Sequence, residues 1–435
     1  MNGETRLAKF ADALTKKGAK PSSGQDVKST TDHALINGHA NDMVYKLLPR
    51  KDRRVHGVFF SGSTWARALV EQLNIEQWSR FLDPSAGTGD LLLEICKGLP
   101  LEETSTLTIK AWEKRLGAID LRESFLRIAW ARIQALAMTR HRETIDTSHF
   151  RPLPRSFRAG NLFTTPLTLH SGDCLVMNPP YQRMLAGRDS YVGAGKRSAA
   201  ALHVEYVLRS APENVGLIAL VPDVLRSGSS YKGFREALRN RMEITSFNGH
   251  GSFGGDADID VAILRAVTKS LAVKVSAVEL LTPSQKSTGT LEKVADLCSV
   301  GVGPVVPHRT EETGRPHGYL TARNSPIWGA VETPTEKARF EARLQNGPFV
   351  VVRRTSSPKD KQRARATLVR GKGPWLVENH LLVISPRSGT IKDCQKIIKN
   401  FKDFRTDEWL NHHIRCRHLT VEAIASVPIW DGEQA

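Results

Sequence analysis

Two apolar runs constrain the fold of this chain most strongly. One run, DCLVM, spans residues 173–177, and the other, GLIALV, spans residues 216–221. A strand with one face in water alternates apolar and polar residues, whereas a strand of a parallel sheet is covered on both faces and is apolar throughout. The two runs therefore predict a parallel sheet enclosed by helices.

Further runs of strand length alternate with helix-length stretches such as ESFLRIAWARIQALA at residues 123–137. Right-handed crossovers place the loops that follow parallel strands along one edge of the sheet, where ligands bind. We therefore predict the α/β class, with a doubly wound, mostly parallel seven-stranded sheet. Its strands are predicted at residues 81–83, 116–120, 157–163, 173–178, 215–222, 244–249 and 260–266.

The length of 435 residues is too great for one typical core, so the chain is expected to divide into segments. Residues 1–40 hold one short amphipathic stretch and a polar tract with almost nothing to bury, which predicts a flexible N-terminal arm. The sheet domain is predicted at residues 41–270. Residues 271–435 change to short strand-like pieces broken by Gly, Pro and Ser, which predict a second, mixed and β-containing domain.

The charge balance indicates the class of partner. The chain has 62 Lys and Arg against 45 Asp and Glu, a formal net charge of +17. Such a surface attracts polyanions and releases their counterions on contact, so nucleic acid is the leading candidate. An anionic membrane surface or simple solubility are the alternatives. The sequence has no long apolar span and no secretory signal, so we expect a cytoplasmic protein with no membrane partner.

The cysteines and histidines do not predict a metal site. The five cysteines form no CxxC pair, which excludes a zinc ribbon and a disulfide framework. The cluster of His412, His413, Cys416 and His418 matches no standard spacing of zinc ligands. We therefore expect no bound metal.

A glycine loop follows the first predicted strand and precedes a helical stretch. It runs DPSAGTGD, with Asp83, Ser85, Gly87 and Gly89 as candidate cofactor-binding residues. Glycines there let the backbone approach a ligand closely. The loop lacks the GxGxxG and GK[ST] patterns of phosphate cradles and has acids at both ends, Asp83 and Asp90. An acidic rim suits a ligand with an ammonium group and a sulfonium better than a pyrophosphate.

A second acid is expected at the end of the next strand, where it would bind ribose hydroxyls. Asp120, at the end of LGAID, is the candidate for this role, and Glu113 in KAWEKR is the alternative. A solvated acid that caps a helix is the competing explanation for either residue.

The predicted strand at residues 173–178 ends in the tetrapeptide Asn178-Pro179-Pro180-Tyr181. Two consecutive prolines force extended backbone at the edge where ligands bind. The side chain of Asn178 and the carbonyl of Pro179 can each accept a hydrogen bond, and Tyr181 offers a flat face on which a base can stack. Paired acceptors would activate the exocyclic amine of a purine by stabilising the positive charge that develops on it.

The glycine loop followed by NPPY resembles the amino-methyltransferase family, and within it the N6-adenine DNA methyltransferases of bacterial restriction–modification systems with the γ order of motifs. This resemblance implies a Rossmann-like fold that binds S-adenosyl-L-methionine, and a C-terminal target-recognition domain. It also implies that adenine is flipped out of double-stranded DNA into the active site.

The same resemblance extends to three further segments. GVFFSG at residues 57–62 resembles the segment that covers the methionine moiety, which implies cofactor contacts from Phe60 and Ser61, although Ser61-Gly62 replaces the usual Thr-Pro. The resemblance also implies a cofactor contact from Asn178 of NPPY. Asn161 stands where the family often has an Asp at the adenine amine of the cofactor. Phe253 precedes a strand and is implied to be the second aromatic residue that stacks on the flipped base.

The C-terminal segment supplies a basic stretch, VVRRTSSPKDKQRARATLVRGKG. We expect this stretch to contact DNA, some residues through phosphates only, whereas a solvated charged face is the alternative. A cognate restriction endonuclease is a further candidate partner, and a monomer is expected. The DNA-binding candidates are Arg353, Arg354, Lys359, Lys361, Arg363, Arg365, Arg370 and Lys372.

Two other functions remain open from the sequence. NPPY also occurs in enzymes that methylate RNA bases or protein glutamine, so the acceptor is less certain than the methyl transfer. A DNA-binding partner subunit without catalytic activity is the other alternative, although the intact Asp83, Gly87, Gly89 and NPPY speak against it.

Overall fold

The computed structural model describes residues 3–15, 35–36, 38–49, 51, 53, 60–254, 257–269 and 291–430. The chain divides into two compact units. Unit 1 comprises residues 1–226 and 230–279, and unit 2 comprises residues 227–229 and 280–435. The expected domain boundary at residues 270 and 271 lies outside the described residues. Within the described parts of both units, no helix is long and apolar enough to cross a membrane.

Unit 1 contains a seven-stranded sheet with the strand order β3-β2-β1-β4-β7-β9-β8. Neighbouring strands from β3 to β7 pair in parallel, and β9 is antiparallel to both β7 and β8. This confirms the predicted mostly parallel seven-stranded sheet. The strands are β1 (Arg80–Asp83), β2 (Leu116–Asp120), β3 (Phe157–Ala159), β4 (Asp173–Met177), β7 (Gly216–Pro222), β8 (Met242–Gly254) and β9 (Ala257–Thr268), while β5 (Arg183–Ala186) and β6 (Gly195–Ser198) form a separate hairpin.

The two apolar runs behave as predicted, because every residue of β4 and β7 is buried. The third strand is shorter than the predicted span of 157–163 and ends at Ala159. There the chain turns, since the amide of Gly160 donates to the carbonyl of Asp120 (2.8 Å) and the Asn161 side chain accepts from the amide of Phe163 (3.0 Å). An Asn side chain that bonds the backbone two residues on is typical of a turn.

Helices connect and flank these strands. The longest, α6, is buried along most of its length, from Phe125 to Met138. The described helices of unit 1 are α1 (Gly3–Thr15), α2 (His39–Leu47), α3 (Gly62–Val70), α4 (Asp90–Gly98), α5 (Ser105–Arg115), α6 (Glu123–Arg140), α7 (Ala199–Ser210), α8 (Val224–Ser227) and α9 (Lys232–Arg241).

The N-terminal segment differs from the predicted flexible arm over residues 3–15. Helix α1 buries Leu7 and Ala11 in a cluster with Phe125 and Ile128 of α6. A helix this short is only marginally stable alone in water, and α1 is stabilised by packing its apolar face on α6. The polar tract that predicted the arm, residues 18–32, lies outside the described residues.

Unit 2 contains a five-stranded sheet in the order β10-β17-β14-β15-β12 and a three-stranded sheet in the order β13-β11-β16. Both sheets combine parallel and antiparallel pairs, as predicted for the C-terminal domain. The described elements are α10 (Val294–Leu297), β10 (Cys298–Val302), β11 (His317–Leu320), β12 (Ala330–Val331), β13 (Lys337–Ala338), β14 (Phe349–Arg353), β15 (Ala366–Val369), β16 (Trp375–Val377), β17 (Leu381–Pro386), α11 (Ile391–Lys402), α12 (Phe404–His413) and α13 (Val421–Ala425).

Alternate residues of β14 enter two different cores of unit 2. Val350 and Val352 belong to a cluster that includes Phe401 of α11, while Phe349 and Val351 belong to a cluster that includes Trp375 of β16. Successive side chains of a strand point to opposite faces, so β14 is covered on both sides.

Gly89 joins β1 to α4 at a point where no side chain fits. Its φ is +82°, and a Cβ atom at this position would lie 2.6 Å from the Cβ of Ala129. The glycine therefore permits both the left-handed backbone and the close approach to α6.

We predict that Gly89→Ala lowers the free energy of unfolding by about 2–4 kcal/mol, because it adds backbone strain and an overlap inside a packed core. Denaturant unfolding would measure the loss. Gly187→Ala is the matched control, since no atom lies within 4 Å of its added Cβ. Equal losses in the two variants would contradict this account of Gly89.

Candidate active site

A single cavity brings together residues that follow β1, β2, β3 and β4. It has about 900 Å³ of empty volume, part of it open to solvent. The glycine loop and the NPPY corner both line it, although they are almost a hundred residues apart in the sequence. The predicted site residues that line it are Phe60, Ser61, Asp83, Ser85, Gly87, Asp120, Asn161, Asn178 and Pro180.

The glycine loop is tied to the end of the neighbouring strand. The amide of Gly87 donates to Oδ2 of Asp120 (2.8 Å), and the amide of Ala86 donates to the carbonyl of Ile119 (3.0 Å). Gly87 has a φ of +52°, and a Cβ there would lie 3.1 Å from the ring of Phe60. At Gly87 the backbone of the loop itself therefore forms the cavity wall, and no side chain separates it from a ligand.

Of the two alternatives for the second acid, Asp120 lines the cavity. Its Oδ1 accepts from the amide of Arg122 (3.0 Å), and a carboxylate oxygen can accept more than one hydrogen bond. Glu113 instead pairs with Arg151 (3.2 Å) and does not line the cavity.

Asp83 is an acid buried in the cavity wall with only 2% of its surface exposed. Burial, with a smaller contribution from the nearby charge of Asp120, raises its pKa to about 8, although hydrogen bonds from Ser85 oppose the shift. Burial also raises the pKa of Asp120. A cationic group entering the cavity would restore the ionised form of Asp83, so this wall favours a ligand with an ammonium group.

The amide of Asn178 is held from both sides. Its Nδ2 donates to Oγ of Ser61 (3.1 Å), and its Oδ1 accepts from the hydroxyl of Tyr181 (2.7 Å). Burial raises the pKa of Tyr181 well above its usual value, so the phenol stays neutral and can donate. The Oδ1 predicted to accept from a purine amine therefore already accepts one hydrogen bond in this structure.

The two aromatic residues predicted to stack on a base touch each other directly. The rings of Tyr181 and Phe253 are 5.6 Å apart at 84°, an edge-to-face contact. Rings on either side of a base would have to be parallel and separated by the base. Phe253 instead lies parallel to Trp65 of α3 at 5.9 Å, and the Trp65 indole donates to the Phe253 carbonyl (3.0 Å). No sequence pattern predicted this position of Trp65.

A buried ion pair supports the Ser61 segment from behind. Asp90 accepts from Arg132 of α6 (2.8 Å), from the side chain of Asn41 (2.8 Å) and from the amide of Gly62 (2.9 Å). Asp90, the acid at the end of the glycine loop, therefore already has three protein partners, and it also lines the cavity.

His203 of α7 also lines the cavity and was not predicted. Its Nδ1 donates to the carbonyl of Ala199 (2.8 Å), which leaves Nε2 as an acceptor in the neutral ring. Burial lowers its pKa to about 4. The Phe163 ring packs on it edge to face at 5.1 Å. A histidine in an apolar helix gives no sequence signal of this placement.

Several predicted residues do not line the cavity. Gly89 packs against Ala129, as described above, and is not among the residues that line the cavity. Pro179, Tyr181 and Phe253 lie outside the lining. Residues 57–59 and 255–256, which belong to the predicted motifs, lie outside the described part of the chain.

The basic stretch of unit 2 divides by exposure. Arg363 is fully buried, which corrects its assignment as a DNA contact. Its guanidinium donates to the carbonyls of Leu410, Ile414 and Cys416, at and after the end of α12. The half-buried residues are Arg353, Arg354 and Arg365, and the exposed ones are Lys359, Lys361, Arg370 and Lys372.

Arg353, the last residue of β14, lies beside Arg365, the residue that precedes β15. The amide of Arg353 donates to the carbonyl of Arg365 (3.0 Å), and burial together with Arg365 lowers the pKa of Arg353. Arg365 pairs with Asp360 (2.7 Å), and exposed Arg370 pairs with Glu332 (3.2 Å).

No protein-family model and no curated protein sequence matches this chain. Solved structures do match. The type IIL restriction–modification enzyme MmeI, solved in complex with DNA, is 10% identical with a TM-score of 0.49, covering 88% of this chain and 69% of MmeI. The type IIG restriction endonuclease BpuSI is 11% identical with a TM-score of 0.47, covering 98% of this chain and 66% of BpuSI.

A type I restriction–modification methyltransferase subunit from Streptococcus thermophilus is 17% identical with a TM-score of 0.34, and the match covers 54% of this chain and 51% of the subunit. The chain therefore spans about half the length of this type I subunit.

The buried carboxyl of Asp83 makes stability depend on pH. Its folded pKa of about 8 exceeds the ~3.9 of an unfolded aspartate, so the folded state holds the proton more tightly. The contribution of Asp83 is fully present below pH ~4 and is lost as pH rises to about 8, with a slope of ~1.4 kcal/mol per pH unit in that window.

Asp83→Asn removes this dependence. We predict that its thermal midpoint rises relative to the parent between about pH 5 and about pH 8 and stays at a constant offset above that range. Asp189→Asn, at an exposed carboxylate of the same unit, is the control. Parallel pH curves for parent and Asp83→Asn would show that Asp83 is not the group responsible.

Proposed function

We propose that this chain is an S-adenosyl-L-methionine-dependent DNA methyltransferase that modifies the N6 amine of adenine in a specific duplex sequence. One observation carries the proposal: the glycine loop with its two buried acids and the amide of Asn178 line the same cavity. If the NPPY corner lay far from the glycine loop, the cofactor and the target amine could not meet in one cavity. A modification role in a restriction–modification system fits the same site.

The residues of the cavity fit S-adenosyl-L-methionine. Asp83 gains a partner from the methionine ammonium, and Asp120 retains acceptor capacity for the ribose hydroxyls. Asn161 and His203 also line the cavity, and Gly160, the residue before Asn161, donates its amide to the carbonyl of Asp120 (2.8 Å). When bound, the cofactor supplies an electrophilic methyl group on a sulfonium.

The NPPY corner acts on the attacking amine. The amine is a poor nucleophile because its lone pair is delocalised into the purine ring. Hydrogen bonds from the amine to Oδ1 of Asn178 and to the carbonyl of Pro179 would localise that lone pair and stabilise the developing positive charge. Ser61 fixes the orientation of the amide, because its Oγ accepts from Nδ2 of Asn178 and so determines which way Oδ1 points.

Tyr181 has to change its contacts before a base can enter. Its hydroxyl occupies Oδ1 of Asn178, and its ring is covered by Phe253. Rotation of the Phe253 and Trp65 pair away from Tyr181 would open a stacking face for the flipped adenine. Unit 2 supplies exposed cations for the duplex at Lys359, Lys361, Arg370 and Lys372.

Sequencing of methylated bases in genomic DNA from cells that express the chain tests this function and yields the recognition sequence. Transfer of tritiated methyl groups by the purified chain to duplex DNA, RNA and protein then compares the acceptors. Incorporation into RNA or protein alone would favour the alternative acceptors. Absence of transfer together with absence of cofactor heat in calorimetry would favour the inert subunit.

We predict that Asn178→Ala lowers the rate of methyl transfer by at least ~10²-fold, because the mutation removes a hydrogen bond that strengthens as charge develops. Affinity for the duplex should stay within about threefold, since the acceptor acts on the transition state. Single-turnover transfer and fluorescence anisotropy measure the two quantities. A rate within about tenfold of the parent refutes the role of this side chain.

Tyr181→Ala and Tyr181→Phe separate the ring from the hydroxyl. We predict that Tyr181→Ala weakens base flipping by about 1–3 kcal/mol, whereas Tyr181→Phe retains most of it because the stacking face remains. The fluorescence of 2-aminopurine at the target position reports flipping. If the two variants lose equal amounts, the hydroxyl and not the ring is responsible.

A further inference from the structure

A hairpin follows the NPPY corner directly. Strand β5 begins at Arg183, two residues after Tyr181, and pairs antiparallel with β6. The amide of Ala199 donates to the carbonyl of Gln182 (2.9 Å) and closes the base of the hairpin. Because four residues of extended chain span at most ~14 Å, Leu185 lies within that distance of Tyr181.

The two faces of this hairpin differ in chemistry. Met184 lies on the inner face and lines the cavity. On the outer face Leu185 is 81% exposed, directly opposite the exposed Lys196, and Arg183 is exposed two residues away on the same side. Of the exposed large hydrophobic side chains in the described parts of the chain, Leu185 has the highest exposure.

The hairpin is held in place at its tip. The hydroxyl of Ser190 donates to Glu205 of α7 (2.6 Å), and the guanidinium of Arg209 lies 4.3 Å from the centre of the Tyr191 ring. These contacts fix the hairpin against a helix, so the exposure of Leu185 is not that of an untethered loop.

Charge and shape identify one class of partner. Residues 183–198 include four cations and one acid, Asp189. A polyanion complements the cations, and an exposed leucine beside them matches the apolar side chains that insert between base steps of a duplex. One leucine buries too little area to anchor a protein to a lipid surface.

We propose that this outer face of the hairpin contacts the target duplex, with Arg183 and Lys196 at phosphates and Leu185 inserted where the flipped adenine leaves the stack. The inference rests on the proposed function, since it assumes a flipped base. The leucine would offset part of the cost of unstacking, a few kcal/mol, by covering the exposed faces of the neighbouring bases.

The test compares Leu185→Ala with the parent on two duplexes that share the recognition sequence. On the fully paired duplex we expect kcat and the 2-aminopurine signal to fall by about tenfold, a change of ~1.4 kcal/mol. On a duplex in which the target adenine is mispaired we expect recovery to within about twofold, because less flipping cost remains for the leucine to offset.

Leu101→Ala is the matched control. Leu101 is 39% exposed and lies in the connection after α4, at the edge of the sheet where the strands begin. Its rates should equal those of the parent on both duplexes. Equal rates for Leu185→Ala and the parent on the paired duplex overturn the inference, and a shift in oligomeric state instead assigns the face to a second copy of the chain.

The cations give an independent measurement. Arg183→Ala and Lys196→Ala should each lower the slope of log affinity against log salt by about one, with Lys114→Ala near the beginning of β2 as the control. Unchanged slopes would remove these residues from the phosphate contacts. A parent that transfers no methyl group to DNA refutes the proposed function, whereas an active parent with an unaffected Leu185→Ala refutes only the role of the hairpin.

Discussion

The buried ion pair between Arg132 and Asp90 supports the candidate active site of unit 1. Both side chains are almost fully enclosed, and removal of one partner from such a pair costs about 3–5 kcal/mol because the other charge is left unpaired. Asp90 holds the amide of Gly62, which places Ser61, which in turn orients the amide of Asn178. Through this chain of bonds, a helix distant in sequence orients the amide of Asn178.

Much of this site could be predicted because its residues follow strands. The runs at β4 and β7 are apolar on both faces, so they indicate a parallel sheet, and the carboxyl ends of such strands meet at one edge. Asp83 and Asp120 are the last residues of such strands, Asn161 and Asn178 follow two others, and all four line the cavity. Their roles with cofactor and base remain predictions, as do the adenine specificity and the restriction–modification partner.

Other features depend on tertiary contacts that leave no local pattern. Trp65 and His203 lie on helices. A tryptophan or a histidine in a helix is as common in a structural core as in a functional site, so the sequence does not distinguish the two. Arg363 belongs to a basic run, and only the fold distinguishes the one guanidinium that bonds buried carbonyls from its exposed neighbours. The glycine pattern likewise does not distinguish Gly87, which lines the cavity, from Gly89, which packs on α6.

Helix α1 has a practical consequence for any isolated catalytic fragment. Phe125 lines the cavity on one side and is covered by Leu7 and Ala11 on the other. Two ion pairs, Arg122 with Glu4 and Arg127 with Asp12, attach the same helix to α6. A fragment trimmed to begin at residue 41 would expose the back of its own binding wall to water, so an expression boundary chosen by composition alone would weaken the pocket that it was meant to isolate.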